Sequence, residues 1–235
     1  MPGSIRLHHP EPLAEGAAAR LTAPQLHYLG TVMRRRPGDI VQLFNPADGE
    51  FQARLVSLRP GAPQLAVEQR LRAPAPEIPL WLVFAPLKRD ATDLVLRQAT
   101  ELGATDLVPV FTDRTNTARI NENRAQAIAI EAAEQSERLS LPRLHPPARL
   151  HDLLASWPVD RPLFAALERA EAPPPPDFTG PAGLLIGPEG GFAPAELDLL
   201  RRYPFVTPVG LGRGVLRAET AAVAGLALLQ ASRRD

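Results

Sequence analysis

Between Gly183 and Gln230 the chain twice repeats one order of features: a short apolar run, a glycine-rich loop and a helical pattern. This repetition restricts what the chain can fold into. Gly183-Leu184-Leu185-Ile186 reads as a fully buried strand. Gly187-Pro188-Glu189-Gly190-Gly191 follows, and Phe192 to Glu196 opens a helix with Pro194 suited to its first turn. Phe205 to Val209 reads as the second strand and Gly210-Leu211-Gly212-Arg213-Gly214 as its loop, leading to an apolar helix from Leu216 to Gln230. Glycines let such loops reach positive φ and let a ligand approach the main chain. One loop of this kind is as well explained by an ordinary turn. Two together, one carrying Glu189 and the other flanked by Arg217 and Glu219, favour a ligand site.

Two nucleotide-binding motifs are excluded by spacing. A phosphate-cradling loop needs Gly-x4-Gly-Lys-Ser/Thr, and the single lysine, Lys88, lies in no such motif. Gly210-x-Gly212-x-Gly214 misplaces the third glycine of a dinucleotide fingerprint. The sequence after it leaves no room for the next strand and its acidic ribose-binding residue.

Upstream, residues 1–72 read as a small β-rich module. A helix over Pro24–Arg35 precedes strands at Asp39–Phe44, Glu50–Leu58 and Gln64–Arg70, the last two joined by a Pro60–Pro63 turn. Arg34-Arg35-Arg36 suits either a phosphate patch or the C-terminal end of that helix. The proline-rich stretch Arg72–Pro79 marks a boundary. Beyond it strands (Leu80–Ala85, Leu107–Phe111, Pro162–Leu167) alternate with helices (Asp90–Leu102, Asn121–Arg138), which predicts an α/β unit over 73–235 with a mostly parallel sheet. Ligands in such sheets sit beyond the C-terminal strand ends, where Leu167, Ile186-Gly187 and Leu211-Gly212 fall. With no cysteine, disulfides and thiolate metal sites are excluded, and the five histidines show no metal-ligand spacing. No apolar run approaches the ~20 residues of a membrane span, and Met1-Pro2-Gly3-Ser4 starts no signal peptide, so a soluble, cytoplasmic protein is expected. Net charge is zero, so RNA binding would rest on local arginine clusters.

The segments Leu185–Phe192 and Leu211–Ala221, supported by Gln98–Gly103, Glu131–Ser136 and Arg35–Asp39, resemble the motifs of the 16S ribosomal RNA uridine-N3 methyltransferases (the RsmE type) of the SPOUT superfamily. Gly214 stands where that family commonly has arginine, and Ala91 and Gln98 where lysines are usual. The resemblance implies a PUA-like β-barrel followed by a SPOUT domain with a C-terminal trefoil knot. It also implies a homodimer, 16S rRNA or the 30S subunit as substrate, and no metal. S-adenosylmethionine would be held by Leu167, Ile186, Gly187, Gly190, Gly191, Val209, Leu211, Gly212, Val215, Leu216 and Thr220, largely through main-chain groups. Glu189 and Glu219 are the candidate bases for the uridine N3 proton, and Arg217 and Arg138 the candidates for neutralising charge on the uracil oxygens. Arg34, Arg35, Arg36, Lys88, Arg114 and Arg213 would meet RNA. A SPOUT enzyme acting on tRNA, at a ribose 2′-oxygen or a base, and a catalytically silent RNA-binding relative remain as alternatives.

Overall fold

The computed structural model describes residues 5–62, 64–116, 119–167 and 172–234, so Met1–Ser4 and the Pro63 end of the expected turn lie outside the described residues. The chain divides into two units, residues 1–76 with 133–141, and residues 77–132 with 142–235.

The first unit is a five-stranded sheet in the order β1-β3-β4-β5-β2. Its strands are β1 (Arg6–His8), β2 (Ala18–Ala19), β3 (Ile40–Asn45), β4 (Gly49–Leu55) and β5 (Leu65–Arg72). Alternate residues Val41 and Leu43, Phe51, Ala53 and Leu55, and Leu65 and Val67 turn inward to one core with Leu7, Leu21 and Leu29. Breaks in register at Glu50/Phe51 and Gln52/Ala53 interrupt the β4–β5 ladder, as bulges that bend a small sheet do.

Helix α1 is short, Ala23–His27, and begins with a reciprocal cap between Thr22 and Gln25. The expected continuation to Arg35 does not form. Tyr28–Val32 makes a π-helical turn, and Arg34 adopts φ 52°. Gly30, Thr31 and Val32 are poor helix formers, while Leu29 is drawn fully into the core. The three arginines therefore lie beyond the helix end, Arg34 and Arg36 exposed and Arg35 4.0 Å from Asp39.

Segment 133–141 is held in this unit by polar bonds. Arg6, buried against the Phe44 ring, donates to the carbonyls of Ala133 (2.7 Å) and Arg138 (2.8 Å) and pairs with Glu50. The main-chain N–H of His8 donates to Glu134 Oε1 at 2.9 Å, and Arg72 Nη2 to the carbonyl of Glu137 at 2.8 Å. The helix expected to reach Arg138 ends sooner, at Gln135, and Glu137 takes φ 58°.

The second unit is a parallel sheet in the order β12-β10-β11-β6-β7-β8, with β9 beside β7. Its elements are β6 (Leu80–Phe84), α2 (Arg89–Glu101), β7 (Asp106–Phe111), α3 (Glu122–Gln135), β8 (Arg143–Leu144), β9 (Ala148–Arg149) and α4 (Leu150–Ser156). After these come β10 (Leu163–Ala166), β11 (Ala182–Ile186), α5 (Pro194–Arg201), β12 (Val206–Val209) and α6 (Ala218–Ser232). Leu82, Phe84, Phe164, Leu184 and Ile186 face the core shared with Leu96 of α2 and Leu226 of α6. Val83, Val108, Leu163, Ala165 and Leu185 face the opposite core with Leu154 and Leu200. Both faces are covered, which is why the central strands read as unbroken apolar runs.

Helix α6 starts two residues later than expected. It buries one stripe, Ala218, Ala222, Gly225, Leu226 and Leu229, while Val223, Ala224 and Leu228 stay half-buried and Ala227 exposed. A stripe at these spacings is one helix face, so the apolar circumference read from the sequence is only partly covered by this chain. The segment before β11 is tied to the start of the β12–α6 loop and to the C-terminal end of α6. The carbonyl of Pro173 accepts from Gly210 N at 2.8 Å, and Phe178 exchanges main-chain bonds with Ser232 and Arg234 (3.2 and 2.9 Å).

Candidate functional site

Ala166 pairs with Ile186 on one side and Val209 on the other, so three parallel strands end at one level. Above those ends lies a cavity of about 1240 Å³, larger than the ~300–1,000 Å³ of common small-molecule clefts. Its floor is apolar, with Leu167, Ile186, Val209 and Leu211. The walls are the loops 187–191 and 210–217, the start of α6, and Ala172 and Pro174. Glu189, Arg213 and Arg217, all exposed, bring charge to it.

Local physics explains the glycines that shape this cavity. At Gly210 a Cβ would stand 2.2 Å from the carbonyl oxygen of Ala172, so no other residue lets the two segments approach this closely. Gly212 adopts φ 128°, a region L residues avoid. The loop then enters α6 with Arg217 at the N-cap, where its side chain caps nothing.

Of the residues expected to hold the cofactor, Leu167, Ile186, Gly187, Gly191, Val209, Leu211, Gly212, Val215 and Leu216 line this cavity. Gly190 and Thr220 do not. Thr220 is exposed on α6, and Gly190 faces a neighbouring depression while its carbonyl accepts from Arg114 Nη1 at 2.8 Å. Of the expected catalytic residues, Glu189 and Arg217 line the cavity. Glu219 is half-buried in the first turn of α6; its Oε2 is buried without a hydrogen-bond partner, and among the described residues no ion pair joins it to Arg217. Arg138 belongs to the first unit, where its Nη2 donates to Ser140 Oγ at 2.9 Å. Arg34, Arg35 and Arg36 also belong there, and Lys88 is exposed at the start of α2.

Sequence reading missed the brace beneath this site. Glu196, buried in the first turn of α5, accepts from Ala193 N at 2.8 Å and from Asp113 N at 2.9 Å. It thus ties the loop after β7 to the loop after β11, across the intervening strand β6. Phe192 is buried against Gly187. A carboxylate at the third helical position was a readable signal for the Ala193 bond, but nothing nearby in the sequence pointed to Asp113. Among the described residues no cluster of three or more His, Asp or Glu could hold a metal ion, and no helix is long and apolar enough to cross a membrane.

Comparison with known proteins gives consistent matches. A family model described as an RNA methyltransferase domain matches residues 74–230, and one described as an RNA methyltransferase PUA domain matches residues 21–68. The ribosomal RNA small subunit methyltransferase E of Rickettsia conorii is 32% identical over 224 residues, covering 92% of this chain and 90% of its own length. The protein of the same name from Synechocystis is 34% identical, over 94% of this chain and 75% of its own. Among solved structures, the ribosomal RNA small subunit methyltransferase E of Neisseria gonorrhoeae, bound to S-adenosyl methionine, superposes with a TM-score of 0.87 at 27% identity over 97% and 98% of the two chains. A Legionella pneumophila methyltransferase in complex with the same cofactor gives 0.85 at 27% identity over 99% of each chain.

Proposed function

This chain belongs to the RNA methyltransferase family with a PUA domain, and from that premise we propose that it uses S-adenosylmethionine to methylate N3 of a uridine in 16S ribosomal RNA. The observation that carries this reading is the cavity over the ends of β10, β11 and β12. It combines an apolar floor, walls of glycine-bearing main chain and a charged rim, a fit for a ligand with a planar base, a polar ribose and a charged tail. Leu167, Ile186, Val209 and Leu211 would hold the base, and main-chain groups of loops 187–191 and 210–217 the polar parts. When bound, the cofactor supplies a methyl group whose bond to the sulfonium sulfur breaks, its electron pair passing to sulfur.

The chain's residues must then manage the uridine. N3 carries an imide proton that has to leave as the N3–carbon bond forms, and the base left behind spreads negative charge over O2 and O4. Glu189, an exposed carboxylate on the cavity wall, is positioned to take that proton. Arg217, at the N-cap of α6 and on the same wall, is positioned to offset the charge. Glu219 does not line the cavity, which favours Glu189 as the base. N3 lies on the Watson–Crick edge, so the target uridine has to be unpaired or extruded.

In this reading the β-rich unit positions RNA through Arg34, Arg35 and Arg36, and the enzyme works as a homodimer in the cytoplasm. The half-covered apolar residues Val223, Ala224 and Leu228, with Val215 70% exposed, support a partner surface. The bonds that hold the 173–178 segment to Gly210 and to the end of α6 support a threaded, knotted C-terminus. Incubation with labelled cofactor and, in parallel, 16S rRNA, 30S subunits and transfer RNA tests the proposal. Label confined to N3 of one 16S uridine is expected; label on transfer RNA alone would overturn it.

A further inference from the structure

Beside the large cavity lies a second depression of about 460 Å³, lined by Arg114, Glu189, Gly190, Gly191, Phe192, Pro194 and Leu197. Glu189, Gly191 and Phe192 border both spaces, so the two adjoin at the loop after β11. At about 30 Å³ per water, the depression has room for a nucleoside-sized group.

Its polar equipment is specific. Arg114 uses Nη1 to grip the carbonyl of Gly190 at 2.8 Å, and no carboxylate pairs with it among the described residues. A guanidinium carries five N–H donors in a planar fork, so most of the fork is left for a ligand. The loop bearing it is fixed from two sides. Thr112 is bonded through its N–H and its hydroxyl to Thr115 Oγ1, each at 2.9 Å, and Asp113 N is held by buried Glu196. Arg114 and Glu189 therefore face one space from a pre-organised frame, a donor fork and an acceptor together. A uracil presents that pattern in reverse along its Watson–Crick edge, an N–H beside two carbonyl oxygens. Cytosine presents an amino donor and no N3 proton, and would meet the fork donor to donor.

We propose that this smaller depression seats the extruded uracil, with Arg114 donating to the C4 carbonyl oxygen, where cytosine has its amino group, and Glu189 facing the N3 proton. Arg114 is then a residue that specifies the base as well as one that steadies the charge it develops. This rests on the methyltransferase reading above, and the test separates the two.

The experiment measures S-adenosylmethionine affinity by calorimetry and single-turnover methylation of 16S rRNA at saturating cofactor, in the wild-type protein and in Arg114→Ala and Arg114→Lys. Arg114→Ala is expected to lower the single-turnover rate about a hundredfold, the scale of a lost electrostatic stabiliser, with cofactor affinity changed less than about threefold. Arg114→Lys, a point charge without the fork, should recover only part. Cofactor binding reports that each variant is folded, and Arg114→Lys carries the test if Arg114→Ala does not fold. A rate that returns to wild type at saturating cofactor, or that never falls, overturns the proposal, because Arg114 would then only brace Gly190. A wild-type protein that binds the cofactor but leaves both 16S rRNA and 30S subunits unmethylated overturns the underlying reading, and this one with it.

Discussion

Glu196 Oε1 accepts the main-chain N–H of Asp113 at 2.9 Å, although 83 positions separate the two residues. Its other oxygen accepts from Ala193 N at 2.8 Å. One buried carboxylate therefore sets the spacing of the two loops that carry Arg114 and Glu189.

Replacing Glu196 by alanine leaves two main-chain donors without their acceptors. At about 1–3 kcal/mol for each orphaned donor, the loss should come to roughly 2–6 kcal/mol, visible as a lower melting temperature. Cofactor affinity should fall too, because the 187–191 loop walls the large cavity. Glu196→Gln keeps one acceptor and should recover about half of the stability. Calorimetry and thermal melts of both variants check this; equal affinities in wild type and Glu196→Ala would remove the link.

The two loop glycines give a paired prediction. Gly210→Ala puts a Cβ into the Ala172 carbonyl and forces the loop outward, at the ~1–3 kcal/mol typical of overpacking. Gly212→Val meets no neighbour but strains a backbone held at φ 128°. Both variants should lose cofactor binding in calorimetry while the circular dichroism of the fold survives. Unchanged affinity in both would mean that the loop's main chain does not hold the cofactor.

Arg217 has no carboxylate partner among the described residues, Glu219 included. Its removal should therefore cost little stability, within about 0.5 kcal/mol for a surface substitution. Turnover should fall about a hundredfold if Arg217 offsets charge on the uracil oxygens, with cofactor affinity nearly constant. A stability loss with turnover intact would assign it a structural role.

Acid should loosen the first unit through Glu50. Burial alone would raise its carboxyl, but hydrogen bonds from Arg72 and Arg6, and their charges, hold it below the ordinary 4.5. A folded-state value lower than the unfolded one means that the folded protein binds fewer protons. The stabilisation is thus fully present above about pH 4.5 and is lost as the pH falls through the lower folded value. In the second unit, burial alone would raise Asp106, but hydrogen bonds from His145, Arg143 and Thr105 and the charge of Arg143 hold it below 3.8, so acid weakens that unit in the same sense. Glu50→Gln should melt lower than wild type at neutral pH, because Arg6 stays buried without its counter-charge, and should show a shallower acid slope in melts taken between pH 7 and pH 3.

Much of the site is written locally. The ends of β11 and β12, and the loops after them that line the cavity, follow from short apolar runs stopped by glycine. What escaped the sequence depends on distant partners. Nothing in a helical pattern over 121–138 shows that its last turn belongs with Arg6 and Arg72, since those bonds are to main-chain carbonyls that any residue offers. The π-helical turn at Tyr28–Val32 was hidden because burial of Leu29 competes with helix continuation. The strands β1, β2, β8 and β9 span two or three residues each, too few for a periodicity to register.

The bonds from Pro173 and Phe178 to the last stretch of chain also set a schedule for biosynthesis. Synthesis runs from the N-terminus at about 5–20 residues per second, and the strands of the sheet up to β11 emerge first. The large cavity is lined by Ala172 and Pro174, held where the Pro173 carbonyl meets Gly210 N, and by the 210–217 loop and α6. A nascent chain that has emerged only as far as β11 lacks the 210–217 loop and α6, which make most of that lining. A frameshift or stop codon after β12 would likewise leave every strand of the sheet in place and remove the loop and helix that close the cavity.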